Sequence, residues 1–175
     1  SAGPLARPVL DAMRAEEERD LVNGRSGLEY IEHILALRAE LRSRLAELVG
    51  VDAEHVALTG STTDSCNIVL AGLDLGPDDE VVTTTDEHFG LLGPLHTSGA
   101  RVVVAPPEPD TIVAAVTPRT RLLALSQVLW TTGQVLPVHD LRRRTALPVL
   151  VDGAQSVGAI PVSAGGLDSL TISGQ

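Results

Sequence analysis

The sequence predicts an α/β domain built on a largely parallel sheet, and two observations carry that reading. From residue 51 onward, short apolar runs alternate with helix-like stretches, which is the rhythm of βαβ units. The chain also has 175 residues at 43% hydrophobic content, enough for one sizeable core. Strands are expected at residues 55–58, 80–84, 101–105, 121–128, 148–152 and 168–173, and the helices between them at 62–73, 88–96, 109–116 and 138–144. No internal repeat or low-complexity linker divides this stretch.

Ahead of the sheet the pattern is helical. Pro8 stands where a first helical turn tolerates it, and a charged, Ala-rich run continues to about residue 21. After a loop at 23–26, Leu28, Ile31, Ile34, Leu35, Leu41, Leu45 and Leu48 recur at helical spacing until Gly50 supplies a stop. Residues 1–50 therefore read as a helical segment and 51–175 as the start of the sheet domain.

Composition excludes several partners. A formal net charge of −10 disfavours nucleic-acid backbones and anionic membranes, which need clustered Lys and Arg. One small anion is still compatible with it, because backbone amides and helix dipoles act locally. No apolar run reaches the length of a membrane span, and the first residues lack the pattern of a signal peptide. A lone Cys66 rules out an intrachain disulfide or a multi-cysteine metal site within these residues, and the expected location is the cytoplasm. The histidines His33, His55, His96 and His139 show no metal-ligand spacing, and no metal is expected.

In open α/β sheets ligands bind beyond the carboxyl ends of the strands, so the residues that follow each apolar run are the site candidates. Ser61, Thr62 and Thr63 follow Gly60 at the start of a helix, where free N–H groups and hydroxyls can cradle a phosphate. The plainer alternative is that Ser61 or Thr62 only caps that helix. Asp152 ends a buried-looking strand, with Gln155 three residues on, and a desolvated carboxylate there calls for a cation unless it simply caps the turn. His88 is either a flat ring for a planar ligand or an ordinary histidine at a helix start. Ser173 and Gln175 add a hydroxyl and an amide beyond the last apolar run.

Taken together, GSTT, TTDEH, SQVLWTTG, VDGAQSVG and SGQ resemble, in order and spacing, the class V aminotransferase family of fold type I pyridoxal-phosphate (PLP) enzymes, which includes cysteine desulfurases, isopenicillin N epimerase-like proteins and carbon–sulfur lyases. The resemblance covers essentially the whole chain, and VDGAQSVG followed about 20 residues later by SGQ is its most specific part. It implies a three-layer PLP-dependent transferase large domain, with the Schiff-base lysine directly after Gln175 and the rest of the large domain and the small C-terminal domain outside this chain. It further implies that Ser61, Thr62 and Thr63, with Ser173 and Gln175, bind the cofactor phosphate. His88 would stack on the pyridine ring, Asp152 pair with the ring nitrogen and Gln155 bond the phenolic oxygen; His88 and Asp152 are the catalytic candidates.

Gln127, Trp130 and Thr131 are candidate substrate-side residues. Desulfurases usually place an asparagine after the strand of SQVLWTTG, and Trp130 is read as standing in that place, which turns the reading toward epimerase-like or lyase-like members. Cys66 is not where the family's sulfur-accepting cysteine belongs and reads as a small core residue. The resemblance thus implies a PLP-dependent enzyme acting on a small α-amino acid, with carbon–sulfur lyase or desulfurase-like chemistry, and a homodimer. Aminotransferase or epimerase chemistry is the alternative within the family. A non-catalytic module that keeps the fold, or a phosphate-binding α/β protein without PLP, are the alternatives outside it.

Overall fold

A computed structural model describes residues 4–174, which form two compact units. The first contains the described residues up to Glu47 together with Asp52–Leu58. Its helices are α1 (Arg7–Asn23), with Pro8 in its first turn, and most of α2 (Leu28–Val49). A 2.7 Å bond between the His33 ring and Glu16 ties α2 to α1, and the Arg42 guanidinium donates to the carbonyl of Ala53 at 3.0 Å. The strand expected at 55–58 is not formed. Ala53–His55 is a single 3-10 turn, and the residues after it find no neighbouring strand. An apolar run can be extended without being a strand, because the ladder needs a partner that the run itself does not specify.

The second unit comprises Leu48–Val51 and Thr59–Gly174. Here the expected alternation is realised: α3 (Thr62–Gly72), β1 (Glu80–Thr84), α4 (Phe89–Thr97), β2 (Arg101–Ala105), α5 (Pro109–Ala114), β3 (Thr120–Ser126), α6 (Val138–Thr145), β4 (Val149–Asp152) and β5 (Ser169–Thr171). All strand pairs are parallel, in the order β2-β1-β3-β4-β5.

Period-two alternation in the central strands builds the layers. Val82, Leu123, Leu125, Val149 and Val151 face one side and pack with Ile112 of α5 and Val138 and Leu141 of α6. Val81, Leu122, Ala124 and Leu150 face the other and pack with Cys66 and Leu70 of α3 and Leu91 and Leu95 of α4. Both faces are covered, so these strands are apolar throughout, as parallel strands are. Burying each such Leu or Val contributes roughly 1.5–3 kcal/mol.

The strand order sets where a ligand fits. The chain runs from β1 outward to β2 through α4, then back across to β3 through α5 on the opposite face. The connections therefore diverge above the boundary between β1 and β3, which leaves a crevice at the carboxyl ends of those two strands.

The opposite edge of the sheet is locked by ion pairs. Glu80, only 2% exposed at the start of β1, accepts bonds from the Thr117 hydroxyl (2.5 Å) and from Arg119 (2.7 Å) and Arg101 (3.3 Å). Asp168, just before β5, takes the Arg142 guanidinium in two bonds (2.8 and 3.1 Å) and the Val149 N–H at 3.0 Å. The Thr117 hydroxyl first, with Arg119 and Arg101, holds the Glu80 carboxyl below its ordinary range. Such a group stabilises the fold fully above the ordinary carboxylate range, and that contribution is lost as pH falls through its lowered value. Glu80→Gln is expected to lower the melting temperature by several degrees at neutral pH, and the gap to wild type should close as the buffer is acidified. Thermal melts across that range check it.

Candidate active site at the carboxyl edge of the sheet

Three of the sequence-derived candidates lie at one helix start. Ser61 is the N-cap of α3, its hydroxyl accepting the Asp64 N–H at 3.0 Å, as the capping alternative expected. Thr62 and Thr63 open the helix, and among the described residues neither their hydroxyls nor their N–H groups are used in hydrogen bonds. Capping and cradle coexist: one donor is satisfied internally and the next ones remain available to an anion.

His88 caps α4, and its Nδ1 accepts the Gly90 N–H at 3.0 Å, which leaves the ring proton of the neutral imidazole on Nε2. Gly90 packs where no side chain fits. A Cβ there would stand 2.9 Å from the Thr63 hydroxyl and 3.0 Å from His88 Nδ1, so glycine lets the start of α3 approach the histidine. Beyond His88 lies Trp130, its ring edge-on at 90° and 5.2 Å between centroids, with Phe89 at 3.9 Å on the histidine itself. Trp130 and Thr131 are exposed, on the tight excursion that leaves β3 and returns where Val128 bridges Val135.

Asp152 ends β4, 4% exposed, with Oδ1 accepting the Ala154 N–H at 2.9 Å. Burial pushes its carboxyl above the ordinary range, opposed by that bond and by the proximity of His88. Gly153 follows because the chain must pass close to β5: a Cβ would meet Leu170 Cδ1 at 2.9 Å and the Thr171 carbonyl at 3.1 Å. Gln155 is exposed and makes no hydrogen bond among the described residues, whereas Ser173 is half-buried two residues past β5. Gln175 lies outside the described residues.

The structure corrects one reading. The residue directly after β3 is Gln127, not Trp130, because the strand ends at Ser126 rather than running to residue 128. Gln127 is buried, its N–H donates to the Asp152 carbonyl at 3.0 Å, and its side-chain Oε1 has no partner among the described residues. A buried polar atom without a partner is rare in folded proteins, and this one is open to a hydrogen bond from a ligand or a water. That amide, rather than the exposed Gln155, is the buried one beside Asp152.

Sequence reasoning missed Glu87. It is 4% exposed and lies where β1 and β3 end, accepting the Thr84 hydroxyl at 2.7 Å and the Ser126 N–H at 2.9 and 3.1 Å. Burial raises its carboxyl, and the nearby Asp152 adds to the rise. Its position in TTDEH gave no sign of this, since carboxylates are seldom buried and the groups that hold it come from β1 and β3. Cys66 is fully buried on α3, 3.7 Å from the Thr171 hydroxyl, and burial pushes its thiol up to about 11. At neutral pH it is an inert core thiol, as expected.

These residues fit PLP. An anion has unused donors at Thr62 and Thr63, a flat ring has His88, a protonated ring nitrogen has the buried Asp152 carboxylate, and a hydroxyl or amine has the unpartnered Gln127 oxygen. Among the described residues no cluster of His, Cys, Asp and Glu is arranged to hold a metal.

Fold and site define a class: a three-layer α/β protein with an acid-floored crevice at a topological switch point and a phosphate-type cradle beside it. Comparison with known proteins places it further. The aminotransferase class-V model matches residues 2–175, and the chain belongs to that family. It is 32% identical over 173 residues to a probable cysteine desulfurase of Mycolicibacterium paratuberculosis, covering 85% of this chain and 25% of that protein. It is 30% identical over 180 residues to isopenicillin N epimerase of Streptomyces clavuligerus, covering 90% and 43%. Its structure matches that of the cystine C–S lyase C-DES in complex with its product cysteine persulfide, at a TM-score of 0.90 and 31% identity over 98% of this chain and 50% of that one. A C-DES lysine mutant with glycine covalently linked to the PLP cofactor matches at a TM-score of 0.88 and 32% identity over 95% of this chain and 49% of that one. The chain thus spans half or less of the length of these proteins. The large-domain fold expected from the resemblance is the one observed.

Proposed function

We propose that this chain is the first part of a PLP-dependent enzyme that cleaves a carbon–sulfur bond of an α-amino acid. The observation that carries the reading is Asp152, a carboxylate buried at the end of β4 beside His88 and the unpartnered Gln127. Bound there, PLP supplies an electron sink for the bond that breaks at the substrate α-carbon. The chain's own residues do the rest. Thr62 and Thr63, with Ser61, Ser173 and Gln175, hold the phosphate. The Asp152 carboxylate keeps the proton on the ring nitrogen, and His88 covers one face of the ring. Gln155 would bond the ring's phenolic oxygen, and Gln127, Trp130 and Thr131 stand toward the substrate.

Carbon–sulfur cleavage is favoured by the likeness to C-DES and to a cysteine desulfurase. Epimerase or aminotransferase chemistry is the second reading, supported by the likeness to isopenicillin N epimerase. Residues 1–50 are the helical N-terminal segment of this reading and 51–175 the first part of the cofactor-binding large domain, in a cytoplasmic homodimer without nucleic-acid or membrane partners. The net charge of −10 disfavours nucleic-acid and anionic-membrane partners, and among the described residues no helix is long and apolar enough to cross a membrane. The exposed Val9, Met13, Ile31 and Leu35 on α1 and α2 suit a covered face.

The test offers cysteine, cystine and alanine to the full-length protein and assays released sulfide or persulfide alongside amino transfer and racemisation. Sulfur release from cysteine or cystine is expected. Racemisation or amino transfer without it overturns the lyase assignment in favour of the second reading.

A further inference from the structure

We propose that Glu87 is a positioning residue of the cofactor pocket, one that ties the end of β1 to the end of β3 and so fixes His88 and Gln127 beside Asp152. The inference rests on the PLP reading above. Its geometry is independent of that reading.

The β1–β3 backbone ladder ends at Val82 and Leu123, and the connections after the two strands leave toward opposite faces of the sheet, so no ladder holds the strand ends together at Thr84 and Ser126. The Glu87 carboxylate replaces the ladder at that point. One oxygen takes the Thr84 hydroxyl at 2.7 Å and both take the Ser126 N–H, at 2.9 and 3.1 Å. The next residue after Glu87 is His88, and the next after Ser126 is Gln127. One side chain therefore sets the exit of both site loops. Gln127 is in turn pinned to β4 through its N–H on the Asp152 carbonyl at 3.0 Å. A carboxylate suits this place better than an amide, because it accepts the two donors without turning a donor of its own toward the Ser126 N–H.

Thr83 provides the contrast. Its buried hydroxyl also crosses from β1 to β3, donating to the Ala124 carbonyl at 2.8 Å, but both residues lie inside their strands, short of the ends, and neither leads into a site loop. Losing that bond should cost stability alone.

The experiment uses the full-length protein as Glu87→Ala, Glu87→Gln, Thr84→Val and Thr83→Val. Beside a thermal melt, two readouts are taken: the affinity for added PLP from its visible absorbance, and the resonance of 5-fluorotryptophan at Trp130 without cofactor, assigned with Trp130→Phe. Trp130 senses His88 because their rings are 5.2 Å apart. Glu87→Ala is expected to weaken PLP binding on the order of tenfold to a hundredfold and to move the Trp130 resonance in the direction that His88→Ala moves it. Glu87→Gln should lie between Glu87→Ala and wild type on both readouts, and Thr84→Val should shift the resonance the same way by less. Thr83→Val should lower the melting temperature and change neither.

If the Glu87 variants only melt earlier, with wild-type affinity and an unmoved resonance, the positioning role is wrong. If Glu87→Ala fails to fold, Glu87→Gln and Thr84→Val decide by the same two signals. A wild-type protein that takes up no PLP would remove the functional reading, while the cofactor-free resonances would still judge Glu87.

Discussion

Asp152→Asn is expected to lower turnover by about a thousandfold while raising the melting temperature of the cofactor-free protein. The two effects have one cause. The carboxylate is 4% exposed, and burial holds it above the ordinary range, so the fold carries a charge that it solvates poorly. For a group raised in the folded state, stability is greatest below the ordinary carboxylate range and declines as pH rises through the raised value. Asparagine keeps the shape and can still accept the Ala154 N–H, but removes that penalty. It also removes the negative charge that keeps a pyridine nitrogen protonated, and with it most of the electron demand on the α-carbon. Cofactor affinity should fall far less than turnover, because the phosphate donors at Thr62 and Thr63 are untouched. Steady-state rates and melts of the same preparation check both halves. A variant with near wild-type turnover would make Asp152 an incidental turn residue.

Gly90→Ala should weaken PLP binding by roughly tenfold or more while leaving the chain folded. The added methyl carbon would sit 2.9 Å from the Thr63 hydroxyl and 3.0 Å from His88 Nδ1, both well inside contact distance. Either the start of α3 retreats or the imidazole turns, and both movements open the gap between the phosphate cradle and the ring face. Gly90 is buried, but its neighbours here are the ends of side chains rather than backbone, so the fold has a way to yield. PLP titration by absorbance gives the result, with the thermal melt as the control for global damage. Unchanged affinity would mean that the two loops do not share one ligand.

The carboxylates of the sheet divide by edge. At the amino edge Glu80 and Asp168 are held low by hydroxyl and arginine donors. At the carboxyl edge Asp152 and Glu87 are held high by burial. One edge therefore stabilises the domain in its charged form, whereas at the other burial opposes the charged form. Carboxylates shifted by burial cluster at functional sites.

Much of this was legible in the sequence, for local reasons. Residues 80–84 and 101–105 read as strands because they are β-branched and bounded by turns, and their bounds agree with β1 and β2. Ser61, Thr62, Thr63, His88 and Asp152 could be singled out because each directly follows an apolar run or opens a helix. What could not be read is non-local. The run at 55–58 has strand composition but no partner, and Gln127 was overshadowed by Trp130 because the end of β3 is fixed by its pairing with β4, where Ser126 is in register with Asp152. Glu87 could not be singled out, since its burial exists only once β3 lies beside β1.

The central claim is that the crevice holds PLP. It is tested most directly by the absorption spectrum of the full-length protein before and after borohydride, followed by intact mass. The expected result is a visible band that collapses on reduction, with the cofactor's mass retained on the polypeptide. A colourless protein that also fails to take up added PLP would contradict it.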